Sequence, residues 1–465
     1  GELRDGFRGE VAAISEQLDM GGCVIENPSV FLKLGVTARR PEFSGPLRFD
    51  NVQCSGQNVK IGNGAIGVNM GASPDLTTFS GQIRPELSDL GMAGQKASSG
   101  RGTINATLRG DDLSADYVLT LFGPRAGGFG LRNLAVKGDL TAADIAGEAP
   151  TYSIRADIHG HEMSAPRTFW TSTENMAATL SETPVGPVFK RFSGALRQDL
   201  SGADATAKAA LARTKAGVLR WSLSNIMVRQ AGDDGLILDG QDLQIGSDSR
   251  SGWALSGGFA TGGRDMPKLE GSIGPRAPAG HRIRLAMRPY SAPGGGLALS
   301  HMVVDIDRQG RAIFGGQAGL SGPLPGGEVR GLSIPLQGRW SADNGLAMYD
   351  RCITLRFKSL VYSSLSVDRQ TIRACPSGNG PIVRQGAGGV RIAANLPGAG
   401  LSGMLGRTPV KVDTKGIALQ WPGTMEARGV NVLIGDKESG THIAAASISA
   451  TPGSALTGKF DEAEA

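Results

Sequence analysis

The sequence predicts a mainly β protein, built as a long curled antiparallel or mixed β-sheet that forms an open, taco-like apolar groove and carries a small α-helical insertion. Three observations predict it. Apolar residues recur at every second position along most of the chain. Glycine supplies 70 of the 465 residues, roughly twice its usual share. A short motif, apolar-x-Gly-x-apolar, is scattered from one end to the other.

The period-two segments are justified first. Ile104, Ala106 and Leu108 alternate with Thr103, Asn105 and Thr107, and Ile154, Ala156 and Ile158 alternate with Arg155 and Asp157. Leu219, Trp221 and Leu223 follow the same rule, as do Ile283, Leu285 and Met287 in HRIRLAMRP (281–289), where Arg282, Arg284 and Arg288 fill the intervening positions. Ile353, Leu355 and Phe357, then Val390, Ile392 and Ala394, continue it. Successive side chains of a strand point to opposite faces, so each segment has one apolar and one solvated face. Strands of ordinary length separated by turns would number on the order of 25 over this chain.

The glycine motif occurs as FSGPL (43–47), FSGQI (79–83), VKGDL (136–140), LSGGF (255–259), LEGSI (269–273), LSGPL (320–324), LQGRW (336–340), LSGML (401–405) and LTGKF (456–460). Its spacing is irregular, which argues against a fixed-period solenoid or propeller. A strand with no side chain between two apolar ones suits a bend or bulge, and so marks where the sheet curls.

The insertion breaks the pattern. TPVGPVFKRFSGALRQDL (183–200) offers Thr183 as N-cap, Pro184 in the first turn and an apolar face of Val188, Phe189, Phe192 and Leu196. DATAKAALARTK (203–214) is expected to add a shorter helix. The resulting organisation is residues 1–165 as the first part of the groove, 166–215 as the insertion and 216–465 as the second part. The helix is expected to pack on an end or edge of the sheet, docking on a membrane surface being the alternative.

Composition and motifs then exclude several functions. The net charge of +5 comes from single Arg and Lys residues dispersed on strand faces, and no basic-aromatic platform suggests nucleic-acid binding. No run of 18 apolar residues is present to span a bilayer as a helix. His159 and His161 fall on one strand face near Glu162, short of a metal ligand set, while His281, His301 and His442 are isolated. The glycine-rich loops have no phosphate-loop Lys-Ser/Thr, and GDDG (232–235) reads as a hairpin turn. No catalytic residue, metal or cofactor is expected, and the chain is not expected to be an enzyme; a polar cleft with perturbed carboxylates would overturn that.

Four cysteines form two local couples, Cys23 with Cys54 and Cys352 with Cys375, at separations that suit disulfides and an oxidising compartment, with buried free thiols as the alternative. The chain begins Gly1-Glu2-Leu3, which reads as the interior of a longer protein whose membrane anchor lies elsewhere.

A one-faced sheet without a reaction centre points to an apolar trough. Exposing a 16-carbon acyl tail to water costs ~13 kcal/mol at ~0.8 kcal/mol per CH₂, and a dry trough removes that cost along its length. The residues expected to line it are Ile104, Leu108, Ile154, Ile158, Leu219, Leu223, Ile283, Leu285, Met287, Ile353, Leu355, Phe357, Val390 and Ile392. A structural or assembly scaffold of the cell envelope, with the apolar face covered, is the alternative.

The helix TPVGPVFKRFSGALR (183–197), the strand pair LEGSIGP…HRIRLAMRPY (269–290) and the Cys-flanked YDRCITLRFKSLVYSSLSVDRQTIRACP (349–376) together resemble the YdbH-type branch of the AsmA-like and TamB-related bacterial envelope proteins. The resemblance covers essentially the whole chain. It implies a periplasmic bridge, anchored in the inner membrane of a Gram-negative bacterium, that conducts phospholipid toward the outer membrane. Its partners would be phospholipid acyl chains, both membranes through parts outside this chain, and a small periplasmic or outer-membrane lipoprotein.

Overall fold

The computed structural model describes residues 6–230, 235–248, 252–263, 265–276, 280–324, 326–386, 389–451 and 457–464. Within these, the chain forms 34 strands and two α-helices, α1 (Arg167–Thr179) and α2 (Gly186–Leu200), with one short 3₁₀ turn at Ser55–Gln57. The fold is mainly β, and the strand pairs are antiparallel. Antiparallel pairing needs no crossover helices, and most neighbouring strands are joined by short turns, the two helices interrupting the chain between Thr151–Ser164 and Asp204–Arg213. The chain divides into two compact units, Gly1–Thr171 with Leu196–Gly263, and Ser172–Ala195 with Arg264–Ala465.

In the first unit, Thr78–Met92, Gln95–Arg109, Asp112–Phe122, Phe129–Ala143, Thr151–Ser164, Asp204–Arg213, Leu219–Arg229, Leu236–Asp248 and Gly252–Thr261 pair in meander order. Before them the chain runs in bent strands. Cys23–Glu26 continues as Ser29–Thr37, Arg40–Phe49 as Asn51–Cys54, and Val59–Ile61 precedes Gly64–Ala72. The breaks face one another: Asn27 N–H donates to Glu16 O, Asp50 N–H to Glu26 O, and Gly62 N–H to Ser88 O. Further along, Gly123 N–H donates to Arg132 O.

Residues in the left-handed region sit on this line, at Asn27 (φ 48°), Asp89 (φ 49°), Glu162 (φ 52°) and Asn225 (φ 51°). Asn225 falls at a register shift, where a bulge bends its strand, whereas pairing keeps its register across Asp89 and Glu162 and the left-handed residue itself turns the chain. Aligned from strand to strand, these positions crease the sheet. The second unit repeats the device at His301 (φ 48°), Gly331 (φ 61°) and Gly429 (φ 58°). Breaking strands at a crease accounts for 34 strands where about 25 would span the sequence uninterrupted.

The glycine motif has a physical basis in close backbone approach. A Cβ at Gly45, Gly138, Gly257 or Gly403 would collide with the carbonyl oxygen of Phe31, Arg155, Asp242 or Ser366 respectively. Some glycines, Gly138 among them, also receive an aromatic ring from the residue opposite: Phe49 lies over Gly64, Tyr117 over Gly138 and Phe314 over Gly338. Such pairs shield a bare stretch of backbone and fix its register.

Two expectations for the insertion are corrected. Residues 203–214 do not form a helix: Asp204–Arg213 is a strand paired on both sides, with Thr151–Ser164 and with Leu219–Arg229. Ala205, Ala207, Ala209 and Leu211 alternate onto the apolar face, and two ladders of hydrogen bonds outweigh the helix propensity of alanine. The second helix begins at Gly186, so Thr183 does not cap it; the Thr183 hydroxyl donates to Leu180 O, and Pro187 occupies the first turn. The preceding helix α1, opened by Pro166, was not expected as a separate element. The apolar face of α2 packs within the protein, with Val188 only 3% exposed and Phe189 and Phe192 ring to ring at 6.0 Å. Leu196 of the same face is half-buried. The hairpin turn expected at GDDG falls outside the described residues.

Both cysteine couples are disulfides. Cys23 and Cys54 are directly opposite across adjacent strands, and Cys352–Cys375 closes the end of the Ile353–Tyr362 and Leu365–Pro376 pair.

Candidate functional site

Cross-strand register places the apolar residues of the first unit in continuous rows. One row runs Leu34, Phe43, Met70, Gly81, Ala106, Ala115, Leu140, Ile154, Leu211, Trp221 over ten strands. A parallel row contains Val68, Ile83, Ile104, Tyr117, Gly138, Ala156, Ala209 and Leu223. Ile104, Leu108, Ile154, Ile158, Leu219 and Leu223 thus share one face, and all are half-buried except Leu219, which is exposed. The opposite face is polar: Gln82 Nε2 donates to Asn105 Oδ1 at 3.0 Å, and Arg155 makes a bidentate pair with Asp139.

Every described member of these rows except Ala115 keeps part of its surface open to solvent. Among the described residues no large side chain is fully enclosed, and the buried apolar residues are mostly Ala and Val. The chain exposes 28154 Å², whereas two separate globular bodies of half its mass would expose together ~20,000 Å².

The crease forms a recess in this face. A cavity of about 530 Å³ lies there, lined by Val59, Ile61, Leu90, Met92, Leu121, Phe129, Leu131, Leu134 and Met163. Crease residues separate its walls: Leu121 and Leu134 lie on one side of Gly123 and Arg132, Phe129 and Leu131 on the other. Its volume is within the range of small-molecule sites, and its lining is mainly hydrocarbon, with Lys60, Gln95, Lys96 and Arg125 also contributing. Phe169 of α1 meets Phe129 edge to face at 5.8 Å, and Trp170 meets Phe169 at 4.9 Å, so an aromatic ladder borders it. Lining residues such as Val59, Ile61, Phe129 and Met163 were not among those singled out from sequence. Strands of two or three residues, Val59–Ile61 and Arg125–Ala126, carry too little alternation to register.

In the second unit Ile283, Val304, Phe314, Gly338, Met348, Val383, Ile392 and Trp421 form one row. Leu285 and Met287 extend its face, and Val390 lies two residues from Ile392 on the same strand. Here the face is largely filled. Ile353 packs with Tyr349, Ala374, Ile382 and Ala394, and Leu355 and Ile392 pack against them. Phe357 packs with Val329 and Val367. Met287, Ile353 and Phe357 are buried, whereas Val390 is exposed. Burial drives the Tyr349 phenol up to about 12, because the phenolate would lose its hydration.

Titratable clusters are sparse. His161 Nδ1 lies 3.3 Å from Asp204 Oδ2, both about half exposed, and the Glu162 carboxylate binds Arg132. Among the described residues no three His, Cys, Asp or Glu side chains converge as metal ligands, and no helix is long and apolar enough to cross a membrane. Comparison of the sequence with family models and with curated proteins finds no match to either.

Proposed function

We propose that the chain carries lipid: acyl chains lie on the apolar face of the creased sheet and slide along it, while the polar face and the strand rims remain in water. The observation that carries this reading is the unbroken apolar face of the first unit, left open and deepened into a 530 Å³ hydrocarbon-lined cavity. An aliphatic lining with few directional groups binds tails without trapping them, since each methylene contributes a similar ~0.8 kcal/mol wherever it sits. On this reading the protein is a segment of a periplasmic bridge of the AsmA-like kind that passes phospholipid between inner and outer membranes. Two disulfides are compatible with that oxidising compartment. The membranes, and any lipoprotein partner, would engage parts outside this chain. The reading assigns no chemistry to the protein and no role to nucleic acid.

The test is organic extraction of the gently purified chain followed by mass spectrometry. Phospholipid is expected to co-purify with the wild type and to fall at least tenfold in Leu131→Asp, a charge placed in the cavity wall. A lipid-free wild-type preparation would leave the envelope scaffold as the better account.

A further inference from the structure

The second unit holds a cavity of a different character, about 510 Å³, at the ends of its strands. Four arginines line it, Arg276, Arg311, Arg339 and Arg384, together with two aspartates, Asp305 and Asp307. Asp305 is 14% exposed and is satisfied by Arg282 at 2.6 Å and Arg276 at 3.4 Å; Asp307 binds Arg311 at 2.7 Å. Arg339 is paired outside the cavity lining with Asp350. Arg384 has no acidic partner among the described residues, and register sets it directly opposite Arg391, which has none either. Like charges directly opposite on a sheet are destabilising, so Arg384, the lining arginine without a carboxylate among the described residues, set against Arg391 and near Arg339, favours an anion.

The geometry points to a phosphate group as that anion, held by guanidinium forks that match its oxygens two at a time. Residue Ala347 lies between Arg339 and Arg384 in the row Ile313, Arg339, Ala347, Arg384, Arg391, so a methyl group leaves the space between the two guanidiniums clear. The neighbouring row, on the other face, is Ile306, Ala312, Trp340, Leu346, Gln385, Val390, with Trp340 46% exposed and also at the cavity. The rim therefore offers cations and, one residue further along each strand, apolar surface. We infer that this cavity seats the phosphate of an amphiphile whose tails turn over Trp340 onto the apolar face. The phosphate site stands on its own residues; the amphiphile rests on the lipid-carrying reading above.

Calorimetric titration of the full chain with inorganic phosphate and with monomeric dihexanoylphosphatidic acid tests it, against the double variant Arg339→Gln/Arg384→Gln. Binding of the phosphatidate is expected in the wild type and at least tenfold weaker in the variant, with Arg356→Gln, an exposed charge outside the cavity, binding as the wild type. Equal affinity for inorganic phosphate, lost in the same variant, identifies the free ion as ligand and removes the amphiphile from the proposal. Absence of binding by both probes, or binding unchanged in a double variant whose circular dichroism matches the wild type, overturns the site. Retained co-purification of phospholipid by that variant leaves the lipid-carrying reading standing even then.

Discussion

The two units apply one strand pattern to different ends. In the first, the face bearing Ile104, Ile154 and Leu223 stays half-exposed, and Phe129 is 40% exposed beside a cavity. In the second, the equivalent alternation at Ile353, Leu355 and Phe357 is absorbed into two filled clusters. The difference comes from connecting segments. Tyr349 N–H donates to Gln337 O and Ile382 N–H donates to Tyr349 O, which pins two residues outside the strands over the sheet as part of its core. Alternation makes a face apolar; loops decide whether it is covered.

That contrast is broken most directly by truncation. Phe357→Ala is expected to cost ~3–5 kcal/mol in urea unfolding, as for a large side chain removed from a packed site, whereas Phe129→Ala should cost less than ~1.5 kcal/mol while lowering bound lipid. Equal costs would show the first face to be as packed as the second. Next in size, replacing both Cys352 and Cys375 by Ser should remove ~3 kcal/mol, since the bridge closes a loop of 23 residues; the same denaturant series measures it. Curvature is tested by Gly138→Ala, expected to cost ~2 kcal/mol through displacement of the Arg155 carbonyl, with Gly274→Ala, which meets open space, within ~0.5 kcal/mol. Smallest is the alkaline response of the filled cluster. Tyr349 ionises near 10 when unfolded and near 12 when folded, so its contribution is intact below pH 10 and is lost as pH rises toward 12. Melting temperature followed over that window should fall less steeply in Tyr349→Phe.

Much of the sheet was legible in the sequence because period two and the glycine motif report backbone geometry directly. Gly45, Gly138, Gly257 and Gly403 are glycine because another strand's carbonyl occupies the space of a side chain. The crease was not legible. Its left-handed positions include Asn27, Asp89 and Asn225, types that tolerate the conformation, but also Glu162 and His301, which give no such signal. The strand Asp204–Arg213 was hidden by its alanines, whose helix preference is local while the ladders that override it come from strands at 151–164 and 219–229. The crease cavity was missed for a related reason: its walls meet only because left-handed residues far apart in the chain, such as Asp89, Gly123 and Glu162, align across the strands. The closure of the second face was hidden as well, because Tyr349 and Ile382 lie in turns without periodicity.

From Thr78 to Thr261 the long strands pair in chain order, each with the long strand before and the long strand after it. A ladder of that kind has a gauge rather than a fixed size. One extra hairpin would extend its path by ~10 Å and disturb no other rung. The span such a protein can cover is then set by how many hairpins its gene encodes.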